Sequence, residues 1–458
     1  MIPRIGHIES YEETEKIASF IREVLRLQWE AMGWNSLSCT SKMVVVKPNW
    51  IQESHDKNAN EWESVITHPI IVEIVVDELA ANMGGTGSII ICDAPHSNAR
   101  FAKIIDRGDL GVRLDRLRQR YPRLSLSVLD LRREIFVIRN GVIVDRLANV
   151  PDPLGYTQLN LGVDSLFFQH PGEGHYYGAD YDRKEVNDHH CGTKHEYLIA
   201  STPLNSDLFI NLPKLKTHKK TGLTCSLKNL VGINGDKNWL PHHAEGYPGE
   251  GGDEFPEARF SYHMESVLKR SMHQMALLMP GLGTRILEVT RSLGKKFLGD
   301  SERVVRNGNW YGNDTCWRMA LDLNRALLYG NLDGTWREAG NRKHFLCIVD
   351  GIVGGEGHGP TRPHPVKSKV LVAGSNPAEV DATVSRLMGF EPSMIPLVRE
   401  AFACHRWPIF SQNLEEIEID DFRHDSSGRI HLRNVTPAVP GGFEPHFGWS
   451  RLRGDHRK

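Results

Sequence analysis

The apolar run MVVVKPNW, Met43 to Trp50, predicts a buried strand that ends in a polar loop. THPIIVEIVVDELAANMG then has helical spacing, and Gly84 and Gly85 suit its C-terminal stop. SIIICDAPHSNARF repeats the scheme, with a strand to Cys92 and a loop carrying Asp93, His96 and Asn98; another helix and the strand SLSVLDL follow. Strand and helix alternating at this pace predict an α/β fold with a mostly parallel central sheet and helices on both faces.

Further on the pattern weakens. REIFVIRNGVIVDR resembles a hairpin turning at Asn140-Gly141, and the polar span over 165–195 reads equally as a mobile active-site flap or a plain insertion. Asp207 to Leu212 is the next strand. A second insertion over 234–330 opens as a Gly/Pro/Asn-rich loop and turns mainly helical from about Glu265 to Leu328. In it Asn313-Asp314-Thr315 can cap a helix on which Arg318, Asp322 and Arg325 share a face. HFLCIVDGIVGGEGHGPTRP predicts a strand running into a glycine-rich loop. VLVAGSNPAEVDATVSRLMGF predicts a strand, a loop with Gly374 and a helix from Pro377 to Met388. IEIDDF and RIHLRNV, within 410–458, predict edge strands or a small C-terminal β appendage.

The 458 residues allow one large domain with insertions or two domains. A hydrophobic share of 40%, a charged share of 24% and a net charge of −2 describe an ordinary soluble chain. They give no bulk electrostatic claim on nucleic acid, although a local basic cluster still suits a small anion. No apolar run reaches 18 residues and no export signal opens the chain, so a cytoplasmic location without a membrane partner is expected. The seven cysteines (Cys39, Cys92, Cys191, Cys225, Cys316, Cys347 and Cys404) are dispersed and never form CxxC. Neither a disulfide scaffold nor an iron–sulfur cluster is expected.

In such a sheet, ligands bind in loops beyond the strand ends. Lys47-Pro48-Asn49, Asp93 to His96, Lys214 to Lys220 and Asp350 to Pro360 all fall there. In NLPKLKTHKKTGLTCSLKNLVGI, two-residue periodicity places Lys214, Lys216 and His218 on one face. Thr221, Thr224, Ser226, Lys228 and Asn229 follow near a short helix start, and together these residues read as an anion cradle or as a solvated basic turn. The glycines of DGIVGGEGHGP could cradle a ligand through backbone N–H groups. Asp350 and Glu356, with Asp93 or Asp381, form a set for Mg²⁺ or Mn²⁺, and His358 or His96 would shift it toward Fe²⁺, Mn²⁺ or Zn²⁺. A metal-free polar site or a structural turn is the other reading. Asp381 otherwise faces water or pairs with Arg386. Cys225 is a conceivable nucleophile and more simply a buried thiol; the pairs His189-His190 and His242-His243 match no zinc motif.

These blocks, taken in order, resemble the DUF362 family of uncharacterised α/β proteins over about residues 40–400. The pattern falls on Lys47, Pro48, Asn49, Lys214, Lys216, His218, Lys228, Asn229, Gly232, Asp350, Glu356, Gly359, Pro360, Pro377 and Asp381. Many members carry ferredoxin-type cysteine motifs, and this chain has no such run. The resemblance implies the fold more than an activity.

The leading expectation is an enzyme for a phosphate- or carboxylate-bearing small molecule, with or without a divalent metal (Mg, Mn or Fe). His218 would be the acid or base, while Lys216 and Lys228 stabilise developing charge. Lys47, Asn49, Lys214, Asn229, Gly357 and Gly359 would bind substrate, and Asp350, Glu356 and Asp93 would hold the metal. A non-catalytic anion- or cofactor-binding protein is the alternative, and an oxidoreductase comes third.

Overall fold

The computed structural model describes residues 1–34, 41–279, 281, 283, 285–288, 304–403, 405–410, 412–423 and 428–453. Cys39 and Cys404 lie outside these, as do 289–303 of the predicted helical region and 454–458 of the C-terminal segment. Among the described residues twelve strands form the main sheet. They are β1 (Arg4–His7), β2 (Met43–Pro48), β3 (Ser88–Asp93), β4 (Ser125–Asp130), β5 (Leu208–Leu212) and β6 (Lys214–His218). The others are β7 (Gly222–Thr224), β8 (His344–His358), β9 (Arg362–Val366), β10 (Val370–Gly374), β11 (Glu418–Phe422) and β12 (Gly428–His431).

Nine strands succeed one another in the order β12-β11-β1-β10-β8-β5-β2-β3-β4, while β6 and β9 pair with β8, and β7 with β6. The block β8-β5-β2-β3-β4 is parallel throughout. Strand β10 runs antiparallel between β8 and β1. The sheet is therefore mixed and mostly parallel, as the sequence pattern predicts.

Alternation along the strands explains the two covered faces. Val45, Ile90, Phe209 and Cys347 belong to one core, and Val44, Val46, Ile89, Ile91, Leu208 and Ile210 to the other. Successive side chains in a strand point to opposite faces, so both faces need a cover. Helices α1 (Thr14–Met32), α2 (Pro69–Asn82) and α3 (Leu110–Arg120) supply one, through Ile17, Ile21, Val72, Val76 and Leu114. After α4 (Phe260–Leu278), helices α5 (Cys316–Tyr329) and α6 (Pro377–Leu387) supply the other, through Leu323, Leu327, Val380 and Val384. Asn313 Oδ1 caps α5 by accepting from Cys316 N at 2.8 Å, and Asn376 Oδ1 caps α6 by accepting from Ala378 N at 2.8 Å.

One expectation changes on contact with the structure. The glycine-rich stretch Gly351 to Gly357 is not a loop but the second half of β8. A Cβ at Gly355 would meet Pro363 Cβ at 2.7 Å and Ser64 O at 2.8 Å, so the missing side chains let β9 and the Ala59–Ser64 turn close on the strand. The C-terminal segment extends the main sheet, since β11 pairs in parallel with β1 and β12 follows it. The hairpin forms as read: Glu134–Arg139 pairs with Val142–Ala148 around Asn140 and Gly141, both at positive φ.

Candidate functional site

At the C-terminal edge of β2, β3 and β5 the polar side chains interlock. Lys47 Nζ lies 2.8 Å from Asp93 Oδ1, and donates to Pro48 O at 3.0 Å and Asn229 Oδ1 at 3.1 Å. Asn49 Nδ2 donates to the same Asn229 oxygen at 2.9 Å, and Asn229 Nδ2 donates to Asn211 Oδ1 at 2.7 Å. Asp93 Oδ2 accepts from Trp50 N at 2.8 Å. Gly232 closes the group. A Cβ there would fall on Asp93 Oδ1 and lie 2.6 Å from Lys47 Nζ, so only glycine lets the ion pair form. Gly232→Ala is expected to cost about 1–3 kcal/mol of stability in urea unfolding, the usual penalty for overpacking; an unchanged midpoint would contradict this packing.

This edge forms the floor of a cavity of about 510 Å³ that also takes in His218, Lys220, Lys228, Lys237 and His242. Among the described residues, the other lining ion-pair members are matched locally: Lys47 with Asp93, Lys269 with Glu254 and Asp180 with Arg146. Lys219, Lys220, Lys228 and Lys237 line the same space, and no carboxylate among the described residues pairs with them. Lys237 Nζ donates to Val231 O at 3.0 Å, and Lys220 Nζ to His242 O and His243 Nδ1, each at 3.2 Å. Burial pushes Lys237 down to about 7, and Lys220 down to about 8. A cluster of cations drawn partly out of water with no counter-charge is costly, and an incoming anion relieves that cost.

The histidines on the wall are neutral at physiological pH. Burial first, then Lys228, Lys219 and Lys216, hold His218 well below the ordinary imidazole value; burial, Lys228 and Lys220 do the same to His242. Their hydrogen bonds select opposite tautomers. His218 Nδ1 accepts from Lys220 N at 3.0 Å, which leaves the proton on Nε2. His242 Nδ1 lies 2.8 Å from Leu240 O and must donate, which leaves Nε2 a bare acceptor. One cavity thus holds a neutral imidazole donor and a neutral imidazole acceptor.

The structure brings Lys47, Asn49, Asp93, His218, Lys228 and Asn229 to this cavity, with His96, Thr224, His242 and His243, and places Lys214, Lys216, Asp350, Glu356, Gly357 and Gly359 elsewhere. Lys214 and Asp350 are fully buried as a pair at 2.8 Å, and Tyr11 OH joins both. Lys216 Nζ donates to Val65 O and does not line the cavity. Lys214 and Lys216 turn together toward Tyr11 and Val65, while His218 at the strand end lines the cavity. Glu356 Oε2 accepts from Glu444 N at 2.7 Å. Asp350, Glu356 and Asp93 therefore do not converge, and no group of His, Cys, Asp or Glu among the described residues has metal-holding geometry. Gly357 N donates to Glu444 O and Gly359 N to Gly357 O, so neither N–H is free to cradle a ligand.

The helix start after Cys225 is also taken. Asp381 is buried and accepts from Ser226 N at 2.7 Å and Leu227 N at 3.0 Å, so an internal carboxylate caps that single turn. It neither faces water nor pairs with Arg386, whose partner is Glu391. Burial and Asp381 push the Cys225 thiol up, consistent with an inert sulfur. His189 pairs with Glu196 at 2.7 Å, and His190 meets Trp239 O at 2.9 Å.

Sequence reasoning did not single out Lys237, Tyr177 or the wall made by the Glu134–Arg139/Val142–Ala148 hairpin. These lie in irregular loops or in a local hairpin, and only tertiary folding brings them to the strand ends. The hairpin is docked by Phe136 N donating to Ser97 O at 2.8 Å and by Arg132 reaching His96 O at 2.9 Å.

The fold and cavity define an open-sheet α/β protein with a basic pocket at the carboxyl edge of its parallel strands. The family model described as a domain of unknown function, DUF362, matches residues 141–386, and the chain belongs to that family. No curated protein matches the chain. Among solved structures, a crystal structure of a Thermotoga maritima protein is similar at 12% identity and a TM-score of 0.31, covering 77% of this chain. The chain spans about half of that protein, 53% of its length. Among the described residues no helix is long and apolar enough to cross a membrane.

Proposed function

We propose that the protein is an enzyme that binds an anionic small molecule in the basic cavity and acts on it with His218 and His242. The observation that carries this reading is the set of four cavity lysines without a carboxylate partner among the described residues. Lys228 and Lys237 would hold a phosphate or carboxylate beside the Lys47–Asp93 pair. His218 would donate its Nε2–H to charge developing on the substrate, and the bare Nε2 of His242 would take a proton. A divalent metal finds no support in Asp350, Glu356 and Asp93, each of which has a separate partner.

A non-catalytic anion- or cofactor-binding role uses the same lysines, and Asp93's engagement with Lys47 favours it by occupying that floor carboxylate. The two readings separate by incubating the protein with a mixture of phosphorylated and carboxylated metabolites and following it by mass spectrometry. The enzyme reading expects one compound to be consumed, with loss of that turnover in His218→Ala while anion binding persists. Binding without consumption of any compound by the intact protein would support the binder.

The lysines set the pH dependence. An anion raises the values of about 7 for Lys237 and about 8 for Lys220, so their contribution to affinity is complete below those values and is lost as pH rises through the higher bound-state ones. A phosphomonoester sheds its second proton near pH ~6, so affinity also falls below that point. Calorimetric titration is expected to give tightest binding between these limits. A profile that stays flat up to strongly alkaline pH would contradict it.

A further inference from the structure

The cavity has two chemically different ends. Its floor carries the lysines, whereas its outer wall is built by Phe136, Ile138 and Ile143 of the hairpin, with Ala179 and Tyr181. Ile138 is 36% exposed, an apolar side chain left open beside a basic site. The wall is firmly set: Tyr181 OH accepts from Ile143 N at 2.8 Å, and its ring lies 4.6 Å from that of His273 on α4.

Some residues of the lining carry buried polar atoms without partners among the described residues. Thr224 Oγ1, His243 Nε2 and Tyr177 OH are all shut off from solvent and unpaired, and their residues line the cavity. The Tyr177 ring stacks on His243 at 4.6 Å, with Lys269 Nζ over its face at 4.0 Å. Charge narrows the ligand's head group. One carboxylate offsets a single cation, whereas a phosphomonoester brings about 1.5–2 negative charges and three acceptor oxygens to the four lysines.

We propose that the ligand is an amphiphilic phosphate, a phosphate ester of an apolar alcohol, with its head among Lys228, Lys237 and Lys220 and its apolar part along Ile138, Phe136 and Ile143. The proposal rests on the anion-binding reading and names the substrate class for that site. A water-soluble sugar phosphate would leave the hairpin wall unused. An uncharged lipid would leave the lysines uncompensated.

The test compares glycerol 3-phosphate with octyl phosphate, which share a head group, by calorimetry below the micelle concentration of the latter. Octyl phosphate is expected to bind roughly tenfold or more tighter, because several methylenes leave water. Ile138→Ser, a change at a partly exposed position, is expected to remove most of that advantage and leave glycerol 3-phosphate binding unchanged. Octyl glucoside, with the same tail and no charge, is expected to bind at least about tenfold more weakly than octyl phosphate. Equal affinities for the two phosphates, or an advantage untouched by both Ile138→Ser and Phe136→Ala, would overturn the proposal while leaving the anion site intact. Failure of both phosphates to bind would overturn the anion site and this proposal together.

Discussion

Replacing Asp350 with alanine is expected to lower stability by about 3–5 kcal/mol, the cost of stranding one member of a buried ion pair. Asp350 accepts from Lys214 Nζ, Tyr11 OH and His68 N, each at 2.8 Å, and both charged side chains have no solvent exposure. The three donors come from β6, from the segment before α1 and from the residue that opens α2. One carboxylate therefore ties three segments to β8. Without it, the ammonium of Lys214 stays enclosed with Tyr11 as its remaining hydrogen-bond partner. The double change Lys214→Met with Asp350→Leu is expected to be far milder, because it removes both charges and refills the space. Urea unfolding of the two variants beside the unsubstituted protein checks this. A loss below about 1 kcal/mol for Asp350→Ala would mean that the pair is solvated.

The second large effect falls on binding. Lys228→Met keeps the length and apolar stem of a side chain that is 7% exposed and lacks a carboxylate partner among the described residues. A charge-assisted contact to a phosphate is worth about 1.5–3 kcal/mol, so affinity for glycerol 3-phosphate is expected to drop roughly ten- to a hundredfold. Stability should hold or rise, since a buried cation has been removed. Weaker folding with unchanged affinity would assign Lys228 to the core instead of the site.

The sheet was legible because its strands are buried on both faces: Val44–Val46 and Ile89–Ile91 read as continuous apolar runs, and β2 and β3 occur where those runs lie. The cavity floor was legible for a related reason. Lys47 and Asp93 are the polar residues at the C-terminal ends of β2 and β3, whose ends meet, and Asn49 follows β2 directly. What the sequence hid is which charges are already matched. Lys214 and Asp350 are 136 residues apart, and Tyr11 is further still, so nothing local reveals that they satisfy one another. The alternation of Lys214, Lys216 and His218 misled for a definable reason. Lys214 and Lys216 are taken up by Tyr11, Asp350 and Val65 inside the protein, and only His218 reaches the cavity. Lys237 and His242 sit in a loop without periodicity, where no spacing rule marks a residue that folding will carry to a pocket. The C-terminal strands escaped a definite placement because edge pairing with β1 depends on a partner some 415 residues away in the chain, from Ile5 to Asp421 about that span.

The most direct measurement is calorimetric titration of the intact protein with glycerol 3-phosphate at pH 7.5, repeated in buffers with different heats of ionisation. At that pH the ester carries almost no exchangeable proton, so any proton taken up belongs to the protein. Capture of the anion by partly deprotonated Lys237 and Lys220 predicts net proton uptake on binding, and less of it in Lys237→Met. Binding that proceeds with no proton exchange would contradict capture by partly deprotonated lysines, and no binding at all would contradict the anion site.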